Sequence, residues 1–191
     1  MSKLRNIFVI LTMVIVSACA DTSSDPVEAI ASAKYVSSET PSITLLTMVG
    51  DDGGFAEHTG ILINASQQVL YDPAGSFRHR RLARARDVHY GMTPVLDDYY
   101  RRYHARFGYY VVAQKIEVTA EVAEEAFRRA VAQGTTGQLR CGLSASSVLH
   151  AVFPNVPVTY YPGKIMSNFG ELPGVETSYT RENDIGQNYV N

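Results

Sequence analysis

The first nineteen residues set the terms on which the rest of the chain must fold. Lys3 and Arg5 form a basic start, and Ile7 to Val16 is an apolar run broken only by Thr12. Such a run is too short to cross roughly 30 Å of hydrocarbon as a permanent helix, which takes about 20 apolar residues. A basic start, an apolar middle and small residues before Cys19 together read as a secretory signal. Export leads to a compartment where cysteines are normally joined in disulfides. Yet the sequence holds only two, Cys19 and Cys141. Cleavage beyond Cys19 or modification of its sulfur removes it as a free thiol. Cys141 is then left without a partner, and the domain must cohere by its apolar core alone. A single thiol in such a compartment is either buried and inert or a nucleophile.

Val16-Ser17-Ala18-Cys19 resembles the lipobox of bacterial lipoproteins, with Val where Leu is usual. The resemblance implies a signal peptide over residues 1–18 and a lipid on Cys19. The competing reading is soluble secretion, with Ala18-Cys19-Ala20 as the cleavage site. Residue 20 is Ala, not the Asp of inner-membrane retention, so the expected address is the outer membrane, facing the periplasm. The lipid would anchor the chain without making it span the bilayer. Residues 19–41 are rich in Ser, Thr, Asp and Pro around a short Ala-rich stretch and read as a tether. Residues 42–191 are expected to form the domain. Without Lys3 and Arg5 the 17 basic side chains become 15 against 19 acidic ones, a formal charge of −4. Such a balance gives no general attraction to nucleic acid.

Within the domain, Ser42 to Val49 is apolar enough for a strand buried on both faces. Asp51-Asp52-Gly53-Gly54 is a turn without the further ligands of a calcium loop. His58 to Ile63 reads as a strand, and Val69 to Tyr71 as its hairpin partner, stopped by Asp72-Pro73-Ala74-Gly75. Arg78 to Arg86 holds five arginines. It reads as a solvated helix face or loop, or else as a contact for anionic lipid headgroups. Pro94 to Phe107 reads as helix, Tyr109 to Val118 as strand, and Glu121 to Gln133 as a helix capped by Thr119. Leu143 to Val152 and Lys164 to Phe169 are further helical stretches, followed by a polar tail. The pattern is α+β, a small antiparallel sheet packed against helices.

Cys141 stands where a helix begins, and exposed N–H groups and the helix dipole stabilise a thiolate there. A cysteine nucleophile needs a base, and His58, opening a strand after a turn, can project from the sheet edge. A third polar group should hold the ring, and Asp72 ends the neighbouring hairpin strand. His79, His89, His104 and His150 form no metal-ligand spacing, and neither HExxH nor CxxC occurs, so neither metal nor cofactor is expected.

The His-led strand His58-Thr59-Gly60-Ile61-Leu62-Ile63, the return ending Leu70-Tyr71-Asp72-Pro73-Ala74-Gly75, and the Cys-led helix Cys141-Gly142-Leu143-Ser144 resemble the circularly permuted papain-like proteins. These are the permuted branch of the NlpC-type amidase and peptidase superfamily, which includes lecithin:retinol acyltransferase-like enzymes. The resemblance covers about residues 42 to 170. It implies a Cys141/His58 pair acting on amide or ester bonds through an acyl-enzyme. In the periplasm the first substrate to expect is a cell-wall (peptidoglycan) peptide, and the second an acyl lipid. The rival is a non-catalytic envelope lipoprotein on the same scaffold, in which Cys141 is a small buried hydrophobe.

If Cys19 carries the lipid, cells grown with labelled palmitate incorporate label into the wild type and not into Cys19→Ser. Label in both, or in neither, contradicts the anchor.

Overall fold

The nine-residue first strand, β1 (Ser42–Gly50), is covered on both sides of the pleat. The computed structural model describes residues 24–182; the signal segment and Cys19 lie outside them. β1 sits inside a seven-stranded antiparallel sheet with β2 (Ala56–Asn64), β3 (Gln68–Tyr71), β4 (Ala83–Ala85), β5 (Val88–Tyr90), β6 (Tyr109–Glu117) and β7 (Glu176–Thr180). Their order across the sheet is β4-β5-β3-β2-β1-β6-β7.

Side chains alternate across the pleat, so each strand feeds two cores. Ile43, Leu45, Ile61, Ile63, Val69 and Tyr71 enter one core with Ala126, Ala130, Ala145, Leu149, Ile165 and Phe169. Those partners come from α3 (Ala120–Gln133), α4 (Cys141–Val152) and α5 (Pro162–Gly170). Leu46, Leu62, Leu70, Val111 and Ala113 enter the other with Phe77, Met92, Leu96 and Tyr100, the last two from α2 (Pro94–His104). Among the described residues the fold is α+β, with five helices counting α1 (Val27–Ser32). No described helix is long and apolar enough to cross a membrane. Among the described residues every buried apolar one lies between Ile43 and Phe169, so a chain beginning at Ser24 keeps this core.

The helix starts follow from their caps. The Thr93 hydroxyl accepts from the Leu96 N–H before Pro94, and the Thr119 hydroxyl accepts from the Val122 N–H. α4 has no side-chain cap. α2 stops at His104, short of the expected Phe107, because Phe107 and Gly108 adopt left-handed φ of 57° and 84°.

Three further expectations need correction. The stretch 19–41 is not a free tether along its described part. Ser24 bridges to Ala85, the Gln68 N–H donates to the Tyr35 carbonyl, and the Asn64 amide donates to the Glu39 and Thr40 carbonyls. Backbone bonding to the sheet holds a segment whose composition alone reads as linker. The arginine stretch is a loop followed by edge strand β4, and β5 pairs on its inner side. The polar tail contains β7, an exposed strand held by backbone pairing to β6.

Candidate active site

β2 pairs with β1 along its length but with β3 only over Ile61–Asn64. His58, Thr59 and Gly60 therefore run past the end of β3, beside the place where the chain turns away at Asp72. The β1–β2 register slips between Met48 and Val49: Met48 faces His58 and Val49 faces Ala56. Glu57 is the extra residue, and such a bulge bends the strand and re-aims the side chain beside it. By alternation His58 and Asp72 belong to the face covered by α2, whereas Cys141 starts a helix on the opposite face. They meet at the sheet's end, beyond β3.

The contacts are specific. His58 Nε2 and Asp72 Oδ1 are 2.7 Å apart and hydrogen-bonded. The Tyr100 hydroxyl donates to the same oxygen at 2.8 Å. His58 also lies beside Cys141, and the backbone N–H groups of Gly142 and Thr59 lie near its sulfur. With Nε2 committed to Asp72, Nδ1 is the ring nitrogen left for the sulfur. Cys141 is 9% exposed; the His58 side chain is 13% exposed and that of Asp72 not at all. The two reactive groups are thus narrowly open while the carboxylate is sealed.

Charge follows from these contacts. Burial pushes the Cys141 thiol up, but the His58 hydrogen bond and charge, with the two N–H donors, outweigh it and leave the pKa lowered. Burial opposes an imidazolium at His58 as well; Asp72 overcomes this, and the ring's pKa is raised. Asp72 suffers the same desolvation, yet His58 holds its carboxyl below the ordinary range. The three shifts all favour the ionised forms, a thiolate, an imidazolium and a carboxylate in a row. Tyr100 is kept protonated by burial and by Asp72, so it remains a donor.

His104 completes the wall. Its ring stacks on His58 with centroids 5.6 Å apart and meets Tyr100 edge-on at 4.6 Å. Burial lowers its pKa to about 4, so it is neutral when His58 is charged. His58, Asp72 and His104 bring three ligand-type atoms within 4.8 Å of one another. The His58 and Asp72 atoms of this group are joined by the 2.7 Å hydrogen bond.

Three glycines make the approach possible. A Cβ on Gly75 would lie 1.8 Å from Asp72 Oδ2, and one on Gly60 2.8 Å from the Tyr100 hydroxyl. A Cβ on Gly142 would lie 2.4 Å from the Tyr160 carbonyl oxygen, where the loop before α5 crosses α4. Asp87 joins the two halves of the site. Its Oδ2 accepts from the N–H of Ala74 at 3.3 Å and of Thr136 at 2.7 Å, and its carbonyl from the Asp72 N–H at 2.8 Å. The Thr136 hydroxyl donates in turn to Ser144 on α4 at 3.1 Å.

The structure thus brings together the three residues expected from sequence, Cys141, His58 and Asp72. Sequence reasoning missed Tyr100, His104, Asp87 and the Thr59 N–H. Tyr100 and His104 stand four apart on α2, a spacing that puts both on one helical face. His89 lies in β5, and His150 bonds the Val156 carbonyl 2.9 Å away, both outside this cluster. Compared with protein-family models, curated proteins and solved structures, the chain matches none.

Asp72→Asn keeps the shape of the orienter but removes the charge that stabilises the imidazolium. Alkylation of Cys141 by iodoacetamide in mildly acidic buffer should slow by about tenfold for each unit its pKa rises. Gly75→Ala, which displaces the same carboxylate, should do likewise, and Tyr100→Phe should do less. Wild-type rates in Asp72→Asn would assign the orienting role elsewhere.

Proposed function

We propose that this chain is an exported, lipid-anchored cysteine hydrolase of permuted papain-like architecture, working on amide bonds at the periplasmic side of the outer membrane. One observation carries the reading. A histidine bonded at 2.7 Å to a buried carboxylate lies beside a cysteine at the uncapped start of a helix. The strand-His, strand-Asp, helix-Cys order supports the permuted assignment, and the antiparallel sheet with α4 against it agrees with that architecture.

The chemistry follows from where the proton sits. The Cys141 thiolate attacks the carbonyl carbon, and the carbonyl electrons move to oxygen. The Cys141 backbone N–H, at the start of α4, would be the donor to that oxygen. The His58 imidazolium then gives its Nδ1 proton to the departing amine, and the C–N bond breaks to leave a thioester. Neutral His58 takes a proton from water as that water attacks the thioester. Collapse releases the acid and restores thiolate and imidazolium. Asp72 holds the ring by Nε2 throughout, so only Nδ1 exchanges protons.

Compartment makes cell-wall peptides the first substrate. A second reading, deacylation or acyl transfer on lipids, is favoured by the surroundings of the site. Leu139 two residues before Cys141, Tyr160 and Tyr161 beside Gly142, and Phe55 three before His58 are all large, apolar and exposed.

The purified chain, incubated with peptidoglycan fragments and separately with phospholipids, should release new amino termini from the former. Cys141→Ala and His58→Ala should each reduce turnover by about 10³-fold or more, with folding intact. Release of fatty acid in place of amines selects the lipid reading. If wild type and Cys141→Ala are equally inert on both, the chain is a binding lipoprotein on this scaffold.

A further inference from the structure

The arginine stretch left unexplained by the site gains a setting from the fold. Between α1 and residues 78–84 lies an open groove of about 630 Å³. Four arginines, Arg78, Arg80, Arg81 and Arg84, line it, together with His89. Asp25 is the acidic residue of the lining, and its carboxylate accepts the Arg84 backbone N–H at 2.7 Å. Arg80 and Arg81 are exposed, Arg78 donates to the Gly75 and Phe77 carbonyls, and Arg84 pairs with Asp87 at 3.7 Å. His89 is 1% exposed, and its Nε2 is buried with no hydrogen-bond partner. The groove therefore holds a buried polar nitrogen and excess positive charge.

Chain geometry says what comes near. The Asp25 N–H donates to the Arg84 carbonyl at 2.7 Å, Ser24 bridges to Ala85, and the Arg86 N–H donates to the Ser24 hydroxyl at 3.3 Å. The N-terminal segment is fastened to the edge strand that closes the groove. Cys19 is five positions before Ser24, and five residues span at most about 18 Å. A lipid on Cys19 would hold this edge of the sheet within reach of the headgroups. Val27 on α1 adds an exposed apolar side chain next to the point of attachment.

We propose that the groove between α1 and Arg78–Arg84 is a docking surface for the phosphates of anionic phospholipids, fixing the anchored domain edge-on to its membrane. The inference uses the lipidation of Cys19 to locate the bilayer and is independent of the hydrolase chemistry. Polybasic surfaces gain about 1 kcal/mol per arginine close to an anionic bilayer, and the attraction fades within a Debye length. Docking also sets which way the Cys141 end of the sheet can face.

The test uses the chain beginning at Ser24, which has no lipid and keeps the described core. It should co-sediment with vesicles of equal parts phosphatidylcholine and phosphatidylglycerol, but not with phosphatidylcholine alone. Binding should be lost in about 0.5 M salt, where the Debye length falls to roughly 4 Å. Arg80→Gln/Arg81→Gln should weaken partitioning roughly thirtyfold while Cys141 alkylation stays at the wild-type rate. No preference for anionic vesicles, or equal partitioning of wild type and double variant, overturns the proposal. So does saturable binding of inorganic phosphate by a chain that ignores vesicles, since the groove would then serve a free anion.

Discussion

The carboxylate of Asp72 sits where four parts of the molecule converge, and it has no contact with solvent. One oxygen accepts from His58 on β2 and from Tyr100 on α2. The other packs so tightly on Gly75 that a methyl group there would overlap it. A buried carboxylate without a charged partner would be strongly destabilising, so the imidazolium on His58 is needed for Asp72 to stay ionised. The dependence runs both ways: without the carboxylate, burial would drive the proton off His58, and with it the thiolate's counter-charge. Protonation state and position are thus two aspects of a single arrangement.

That arrangement depends on where the sheet ends. β3 stops four residues after it starts, so β2 outruns it and leaves His58 to Gly60 unpaired on that side. α4 delivers Cys141 to the gap from the far face of the sheet. Asp87 and Thr136 hold the loop before α4 to the turn after β3, so nucleophile and orienter cannot drift independently. His104 is kept neutral by burial and lies flat against His58, filling space that would let the ring rotate without competing for its charge.

Much of this was legible in the residues, and the reasons for the rest are physical. β1 and the β2–β3 hairpin announce themselves because both faces of the sheet are covered and the strands carry apolar runs, Leu45-Leu46, Ile61-Leu62-Ile63 and Val69-Leu70-Tyr71. α3 shows through its Thr119 cap and apolar stripe. Asp72 could be proposed because hairpin register places it near His58. Tyr100 could not, since it arrives from a helix 28 residues away on the α2 face. β4 and β5 are three residues each, one carrying Arg84 and the other His89, and no period can emerge from so few positions. β7 is polar and exposed and is held by backbone bonds, which no side-chain pattern records. Gly60, Gly75 and Gly142 stood within the motifs, but what each must not touch is visible only once its neighbours are placed.

The thiolate–imidazolium pair is the claim on which the chemical reading stands. Its most direct measurement is the ultraviolet absorbance of the Cys141 thiolate against pH, in the wild type and in His58→Ala, with Cys141→Ala subtracted as background. The account predicts a wild-type midpoint well below the ordinary thiol value of about 8.5, and a variant midpoint displaced upward toward or beyond it. Coincident titrations of the two proteins, or a wild-type thiol that ionises only in the ordinary range, would contradict it.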